Sequence, residues 1–561
     1  MTDADPKDYL QDLTQAVAQP QPSEPDSAAQ PQPSPSVSVA QSVPAQQEPQ
    51  SAPAQQEPQS VSVTQSERHL EGHLRQPHVL VVGGGVAGLQ MSRMLASAGV
   101  RVTLAEASER LGGKVRRHDV GGIALDAGAE SFATRRGTIA ALAAELGLGG
   151  LLVTPSGAGA WLQPRTGPAL PLPAAGLLGI PSIPLARDVI RIVGLAGALR
   201  AQLDSLMSGF VGSRERSLGA LVRKRMGTAV LDRLVTPVAS AIHSRHPDEL
   251  DVDVVAPRVR KAVLSEGSLA KAVLTVRSAA PAGSAVQGLS GGLFQIAEAL
   301  ERDIAGRVEV RLGTRVVAIV APDVGQHPAA PDVEQATAEP DQEQATVAPD
   351  AGQHLVTFGD GSQHPFDAVV LATAIELGSA GQQVVAKHSS DAQTTITLAT
   401  LVLDAPALDA APRGSGVIVA AGAPGIRAKA LTHATAKWAW LRDLAPGKHV
   451  VRLSYETAPH SDAELREQAR SDAAALLGVA LGPSQVLAFD RTTWPGASSG
   501  DSPLRHGMGP TAAPDVSTPF GIVHIGERVS GTGLQAIVTH TTEQAEMLIH
   551  DLAAQPGLRL T

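Results

Sequence analysis

Three features of the sequence, taken in chain order, predict an α/β fold with a Rossmann-type first domain. The apolar run 79–82 (VLVV) breaks into Gly83, Gly84 and Gly85, after which Val86, Ala87 and Gly88 open a helical pattern. A second apolar run, 100–105 (VRVTLA), ends on Glu106, 18 positions past Gly88. Strand, glycine turn, helix, strand and acid thus stand in the order of a dinucleotide-binding βαβ unit. Gly83 permits the tight turn, Gly85 lets the backbone approach a pyrophosphate, and Gly88 lets helix and strand pack closely. The phosphates are expected at the helix N-terminus, and Glu106 is placed to hold ribose hydroxyls.

The remaining length has to be divided before it is interpreted. The chain has 561 residues, 43% of them hydrophobic, enough for two or more packed cores. Two stretches cannot contribute. Residues 1–75 are rich in Pro, Gln, Ser and Ala and contain PAQQEPQS twice; such a low-complexity tail buries too little apolar surface to offset its ordering entropy. Residues 321–354 carry APDVGQH and APDAGQH at their two ends and EQAT twice between, which reads as a low-complexity insertion in a hairpin. Each stretch carries a net −7 against −10 for the chain, so the remainder stands at +4.

That mildly cationic body suits an anionic small molecule. It lacks the dense basic stripe of a nucleic-acid binder, and aromatics at 2% supply no stacking platform. The basic group Arg214, Arg216, Arg223, Lys224 and Arg225 reads as a solvated helix face, with a ligand site as the competing reading. The absence of cysteine excludes disulfides, thiolate nucleophiles and cysteine metal sites. The seventeen histidines show no metal-ligand spacing and no triad, so no metal is expected. The N-terminus lacks the basic and apolar regions of a signal peptide, and no stretch of about 18 uninterrupted apolar residues occurs, which leads us to expect a cytoplasmic enzyme without a transmembrane segment. The region 170–199 is broken by prolines, Arg187, Asp188 and Arg191; it is expected to line an apolar pocket or, at most, to make peripheral membrane contact.

Past Glu106 the chain runs through Ala107, Arg110, Gly112, Gly113 and Lys114 into a G-x-x-x-D-x-G pattern at Gly122, Asp126 and Gly128. This resembles the amine-oxidase-like FAD flavoproteins, in which a second glycine loop closes over the pyrophosphate and flavin. Further blocks narrow the resemblance to the oxygen-dependent protoporphyrinogen and coproporphyrinogen III oxidases, and the cysteine-free, Ala- and Gly-rich chain looks like their actinobacterial branch. These blocks are GAESF at 128–132 with Arg135, the stretch 217–257, QGLSGGLFQIAEAL at 287–300, GTRVVAI at 313–319, FDAVVLATA at 366–374, then Lys437, Trp438 and Arg452, and the closing segment 521–547.

The resemblance implies that Gly83 to Gly88 bind the FAD pyrophosphate and that Glu106 takes the ribose. It implies that Lys114, Gly128, Ala129, Glu130 and Ser131 line the phosphates and flavin, and that the backbone of Val316, also a core strand residue, meets the adenine. Trp494 matches a tryptophan near the cofactor, although a lone Trp also reads as core. Gly526 and Glu527 stand in the closing segment, Glu527 where an aspartate is usual. Leu534, Gln535 and Ala536 occupy the isoalloxazine-contacting turn, the last two replacing a proline and an acidic or small residue. The run 495–507 also departs from the family pattern.

By the same resemblance the reaction is six-electron oxidation of coproporphyrinogen III in haem synthesis, with oxygen as acceptor and peroxide as product. No catalytic side chain is expected, because flavin N5 takes the hydride. Coproporphyrinogen carries four propionates and protoporphyrinogen two, and Arg135, Arg136 and Lys271 are candidate carboxylate anchors. The resemblance also implies a downstream haem-pathway enzyme as partner. Three other readings compete: protoporphyrinogen IX as substrate, an FAD enzyme acting on an amine or polyene, and a non-catalytic FAD-binding paralogue. Thirteen aromatic residues in all argue against the cage that an amine substrate needs.

The predicted organisation is an FAD-binding domain from 77–150, 285–375 and 515–555. A discontinuous substrate-binding domain, a mixed sheet plus helices, comes from 151–284 and 376–514, with its helical part in 151–284.

Overall fold

The computed structural model describes residues 75–173, 175–243, 245–278, 286–322, 352–373, 375–380, 383–388, 395–495, 521–531 and 533–561. Most of the N-terminal tail, most of the 321–354 insertion and the departing run 496–507 lie outside these residues.

The first βαβ unit consists of β1 (His78–Val82), α1 (Val86–Ser97) and β2 (Arg101–Ala105). β1 is the middle strand of a five-stranded parallel sheet. β2 and then β3 (Glu309–Arg311) flank it on one side, β4 (Ala368–Leu371) and then β5 (Ile522–His524) on the other. A central parallel strand is covered on both faces and so reads as an unbroken apolar run, as 79–82 does. One face is covered by α1, the helix Gln295–Ile304 and α2 (Leu534–Ala554), which share a core with Val79, Val81 and Val370. The other packs Leu80, Val82, Val369 and Leu371 against Val316, Ile319, Val356, Phe358 and Phe366 of a second, antiparallel sheet.

That second sheet corrects one predicted boundary. Its strands are Val316–Val320, His354–Phe358, Gln363–Phe366, Ile375–Ala380 and Gln383–His388. Residues 376–380 and 383–388, assigned from sequence to the substrate domain, therefore complete a layer of the first one, with Ala318 opposite Val385. Two other limits also move. His354, the last residue of the second repeat, is fully buried and begins a strand paired to Val316–Val320. Arg75, assigned to the tail, bridges to Leu558 and donates to Asp367 Oδ2 at 2.6 Å.

A seven-stranded sheet carries the rest of the chain, in the order Val486–Pro495, Thr395–Leu403, His449–Tyr455, Ala430–His433, Gly416–Val419, Ala160–Gln163, Leu170–Pro171. One face holds the helix Asp462–Leu477. On the other, Val402 and Val450 pack against Val120, Ile123 and Leu125 of the hairpin Arg117–Val120/Ile123–Asp126, joining this sheet to the nucleotide-type domain.

Helices between Arg187 and Ser278 form a separate core. Here the reading of the basic group as a solvated face fails for one member. Arg225 is 0% exposed. Its guanidinium pairs with buried Asp204 and donates to the carbonyls of Ser208, Val211 and Gly267. The helix Leu218–Met226 buries Leu218, Leu221, Val222 and Arg225 together, the i, i+3, i+4, i+7 face of a helix.

Candidate active site

The glycine turn is built by close backbone contacts. Gly83 takes φ +106°, which favours glycine, while its amide donates to Ala105 O at 2.8 Å. A Cβ on Gly88 would lie 1.9 Å from Gly83 O, so only glycine lets α1 start this close to β1. Gly85 is different. It caps α1 with φ −73°, no side chain caps the helix, and a Cβ there would meet nothing within 4 Å. The helix thus presents its first N–H groups to open space, the arrangement that receives an anion.

Glu106 is held at the mouth of this turn. Its Oε2 accepts from the Gly84 amide at 2.7 Å, and its Oε1 accepts from the Ser108 amide and hydroxyl, both at 2.8 Å. The second glycine pair lies across the first: the Gly112 amide donates to Gly84 O at 2.8 Å, and a Cβ on Gly113 would sit 3.2 Å from Gly85 Cα. Ala107 and Arg110, between them, are exposed.

The loop 128–131 and the closing segment meet this cradle through Lys114. A Cβ on Gly128 would lie 2.2 Å from Lys114 O, which also accepts from the Ala129 amide at 3.1 Å. Lys114 Nζ donates to Glu527 Oε2 at 2.6 Å. Glu527 follows Gly526, whose φ is +92°. Leu534, Gln535 and Ala536 form the first turn of α2, which packs beside α1. Trp494 donates from Nε1 to Ala127 O at 3.0 Å, with the Arg116 guanidinium 4.7 Å from its ring centroid. Val316 is buried at the start of its strand.

Behind the 128–131 loop lies a charged cluster. The Glu130 carboxylate is 2.6 Å from Lys437 Nζ and 3.2 Å from Arg452. Burial pushes its pKa up, but Lys437 and Arg452 outweigh that and hold the carboxyl below the ordinary range. Asp126, beside it, accepts from the amides of Leu293 at 3.0 Å and Phe294 at 2.7 Å. Its burial dominates and raises its pKa to about 6. Sequence motifs pointed to Glu130 as a loop residue, and Lys437 and Arg452 stood among the matching blocks, but nothing there indicated that the three form one site.

Two of the candidate carboxylate anchors, Arg136 and Lys271, are not brought into this cluster. Arg135 and Arg136 lie on the short turn 135–137, where Arg136 has φ +65° and is exposed. Lys271 is exposed on the helix Leu269–Ser278. Among the described residues no group of three or more His, Asp or Glu is arranged for a metal, and no helix is long and apolar enough to cross a membrane.

The open space at Gly85, the doubled glycine loops and the carboxylate of Glu106 fit the pyrophosphate and ribose of FAD. A family model for flavin-containing amine oxidoreductases matches residues 86–517. The chain belongs to this family. A pyridine nucleotide-disulphide oxidoreductase model also matches residues 40–130, overlapping the βαβ unit of the flavin-containing amine oxidoreductase. FAD is the cofactor, and the protein is an FAD-dependent oxidoreductase.

Coproporphyrinogen III oxidase of Mycobacterium leprae is 28% identical over 503 residues, which cover 84% of this chain and 98% of that protein. The Bacillus subtilis enzyme of the same name is 28% identical over 259 residues, and there the chain spans about half, 54%, of the relative's length. Among solved structures, a candidate protoporphyrinogen oxidase from Exiguobacterium sp. 255-15 shares the fold at a TM-score of 0.64 and 22% identity, covering 85% of this chain and 100% of that one. A redesigned putrescine oxidase superimposes with a TM-score of 0.53 at 13% identity, covering 85% and 99%.

Proposed function

We propose that this flavoenzyme oxidises coproporphyrinogen III to coproporphyrin III in haem synthesis, with oxygen as the final acceptor and peroxide as product. The observation that carries this reading is the match to the mycobacterial coproporphyrinogen III oxidase along 98% of that enzyme's length. The scarcity of aromatics argues against an amine substrate.

The first N–H groups of α1, beyond Gly85, hold the pyrophosphate, Glu106 holds the ribose, and the loops at 112–114 and 128–131 close over the cofactor. When bound, FAD supplies a two-electron acceptor for each of three successive oxidations. The protein has to bind a tetracarboxylate disc, orient it and keep water out. Glu130, fixed as an anion by Lys437 and Arg452, stiffens the loop that lines the cofactor. Arg135, Arg136 and Lys271 remain the candidate propionate anchors, arginine being suited to two parallel hydrogen bonds to a carboxylate. A soluble cytoplasmic location and delivery of product to a later haem-pathway enzyme accompany this reading.

The test is turnover by the FAD-loaded protein of coproporphyrinogen III and protoporphyrinogen IX side by side, followed by porphyrin fluorescence and peroxide release. Coproporphyrin formation well above spontaneous oxidation, and at least ten-fold preferred over protoporphyrin, supports the proposal. Equal rates, or none above background with FAD bound, overturn it.

A further inference from the structure

Between the hairpin Arg117–Val120/Ile123–Asp126 and the seven-stranded sheet lies a cavity of about 20 Å³, lined by residues including His118, Asp126, Glu130, Thr400, Trp440 and Arg452. Three of these carry a buried polar atom with no hydrogen-bond partner: His118 Nε2, Thr400 Oγ1 and Trp440 Nε1. Leaving such atoms unpaired is costly, and this cavity, whose otherwise mainly apolar wall (Leu125, Leu441, Val450) carries these polar atoms, has room for one water. Those three atoms line the cavity together with the Glu130 carboxylate, which also pairs with Lys437 and Arg452.

The line of polar groups continues outward. His118 Nδ1 stands 3.0 Å from Asp490 Oδ2, and Asp490, which also accepts from Thr492 Oγ1 at 3.1 Å, is 38% exposed. Inward, Glu130 belongs to the loop that closes on the cofactor cradle through Gly128 and Lys114. Glu130 of the loop and His118 therefore line one cavity, and His118 in turn meets the partly exposed Asp490.

We propose that His118 passes protons between the 128–131 loop and solvent through one ordered water in this cavity, with Asp490 orienting the imidazole. The proposal rests on the porphyrinogen reading. In each two-electron step a bridge hydrogen leaves with its electron pair for the flavin and one proton is released, from a pyrrole N–H or, by tautomerisation, from a bridge C–H. Of the hydrogens lost over the whole oxidation, the bridges give up one each and two pyrrole nitrogens one each, and every released proton has to leave the site. An imidazole accepts a proton on one nitrogen and releases one from the other, which suits it to a conduit. Its charged and titratable surroundings are Arg117 and Asp119 on its own strand, Asp490 from the sheet edge, and Arg452, Glu130 and Asp126 across the cavity. His118 acts through water and is a positioning residue.

Two variants of the holoenzyme test this. His118→Asn keeps an amide toward Asp490 and removes Nε2; Thr400→Val removes one partner of the water with little change of shape. The readouts are the rate at which coproporphyrinogen III bleaches the flavin without oxygen, its solvent deuterium isotope effect, and a crystal structure of the wild-type cavity. We expect an ordered water in the cavity. H118N should bleach at least ten-fold more slowly, with partial rescue by added imidazole, and T400V several-fold more slowly, both retaining the wild-type flavin spectrum and melting temperature. H118N bleaching at the wild-type rate, or a dry wild-type cavity, overturns the relay. If coproporphyrinogen does not bleach the wild-type flavin, the porphyrinogen reading falls and takes the relay with it, whereas wild-type bleaching with an unaffected H118N overturns the relay alone.

Discussion

Lys114 and Glu527 stand 413 positions apart in the chain, yet their side chains meet at 2.6 Å. The contact ties the second glycine loop to the closing segment. Both groups are partly exposed, so the pair contributes little to global stability, and its effect is local. We predict that Glu527→Gln weakens FAD retention about three- to ten-fold, at a cost of roughly 1 kcal/mol, with an unchanged melting temperature of the apoprotein. Flavin release monitored by fluorescence during dialysis measures it; retention equal to wild type would show that the pair does not guard the cradle.

The glycines of the first turn separate folding from binding. Gly88→Ala sets a methyl 1.9 Å from Gly83 O and is expected to destabilise the apoprotein by more than about 3 kcal/mol, yielding flavin-free protein. Gly85→Ala meets nothing within 4 Å at an ordinary φ. It should leave apoprotein unfolding within about 0.5 kcal/mol of wild type while reducing FAD affinity at least ten-fold. Chemical denaturation paired with flavin titration distinguishes the two outcomes, and normal FAD binding by G85A would place the phosphates elsewhere.

Asp126 and Glu130 set opposite pH dependences. The Asp126 carboxyl, raised from 3.8 to about 6, binds its proton more tightly folded than unfolded. Its contribution therefore favours the fold below pH 3.8 and is lost as pH rises through 6, a change of about 3 kcal/mol. Asp126→Asn should flatten the fall in urea stability between pH 4 and pH 7. Glu130, held low, contributes stability present above the unfolded value of 4.5 and lost as pH falls below it. Glu130→Gln should thus weaken the protein at pH 7, by about 3–5 kcal/mol because Lys437 and Arg452 lose their counter-charge, and show a shallower acid limb. Parallel urea curves for wild type and both variants across this range would contradict the assignment.

In the helical region, Arg225→Ala strands Asp204 without its cation and should cost about 3–5 kcal/mol, detected as early protease cleavage between residues 187 and 278. Replacing both partners, with Asp204→Leu and Arg225→Met, should recover much of that loss. Recovery would identify the pair as a positioning device and not a ligand site.

How far the sequence reached depends on distance along the chain. Gly83, Gly88 and Glu106 lie within one βαβ unit, so spacing alone revealed them. Glu130 and Lys437 are 307 positions apart, and no spacing rule links a loop acid to a lysine at the end of the short helix Ala434–Lys437. The same holds for His118 and Asp490, separated by 372. Arg225 was misread for another reason. Its charge suggested solvent, whereas the helical period already placed it with Leu218, Leu221 and Val222; period was the stronger signal. The assignment of 376–380 and 383–388 failed because membership in a sheet is decided by pairing partners, here 316–320, which local composition does not encode.

The central sheet draws β1, β4 and β5 from stretches that a ribosome releases at widely separated times. Until residues 522–554 emerge, β4 has a bare edge and α1 lacks the helix that lies beside it. The nascent βαβ unit must wait through the synthesis of two other cores, with an unpaired strand exposed to rescue by chaperones or to misassembly. The Rossmann-type sheet is thereby complete only when the end of the chain has been made, whatever the readiness of its first glycine turn.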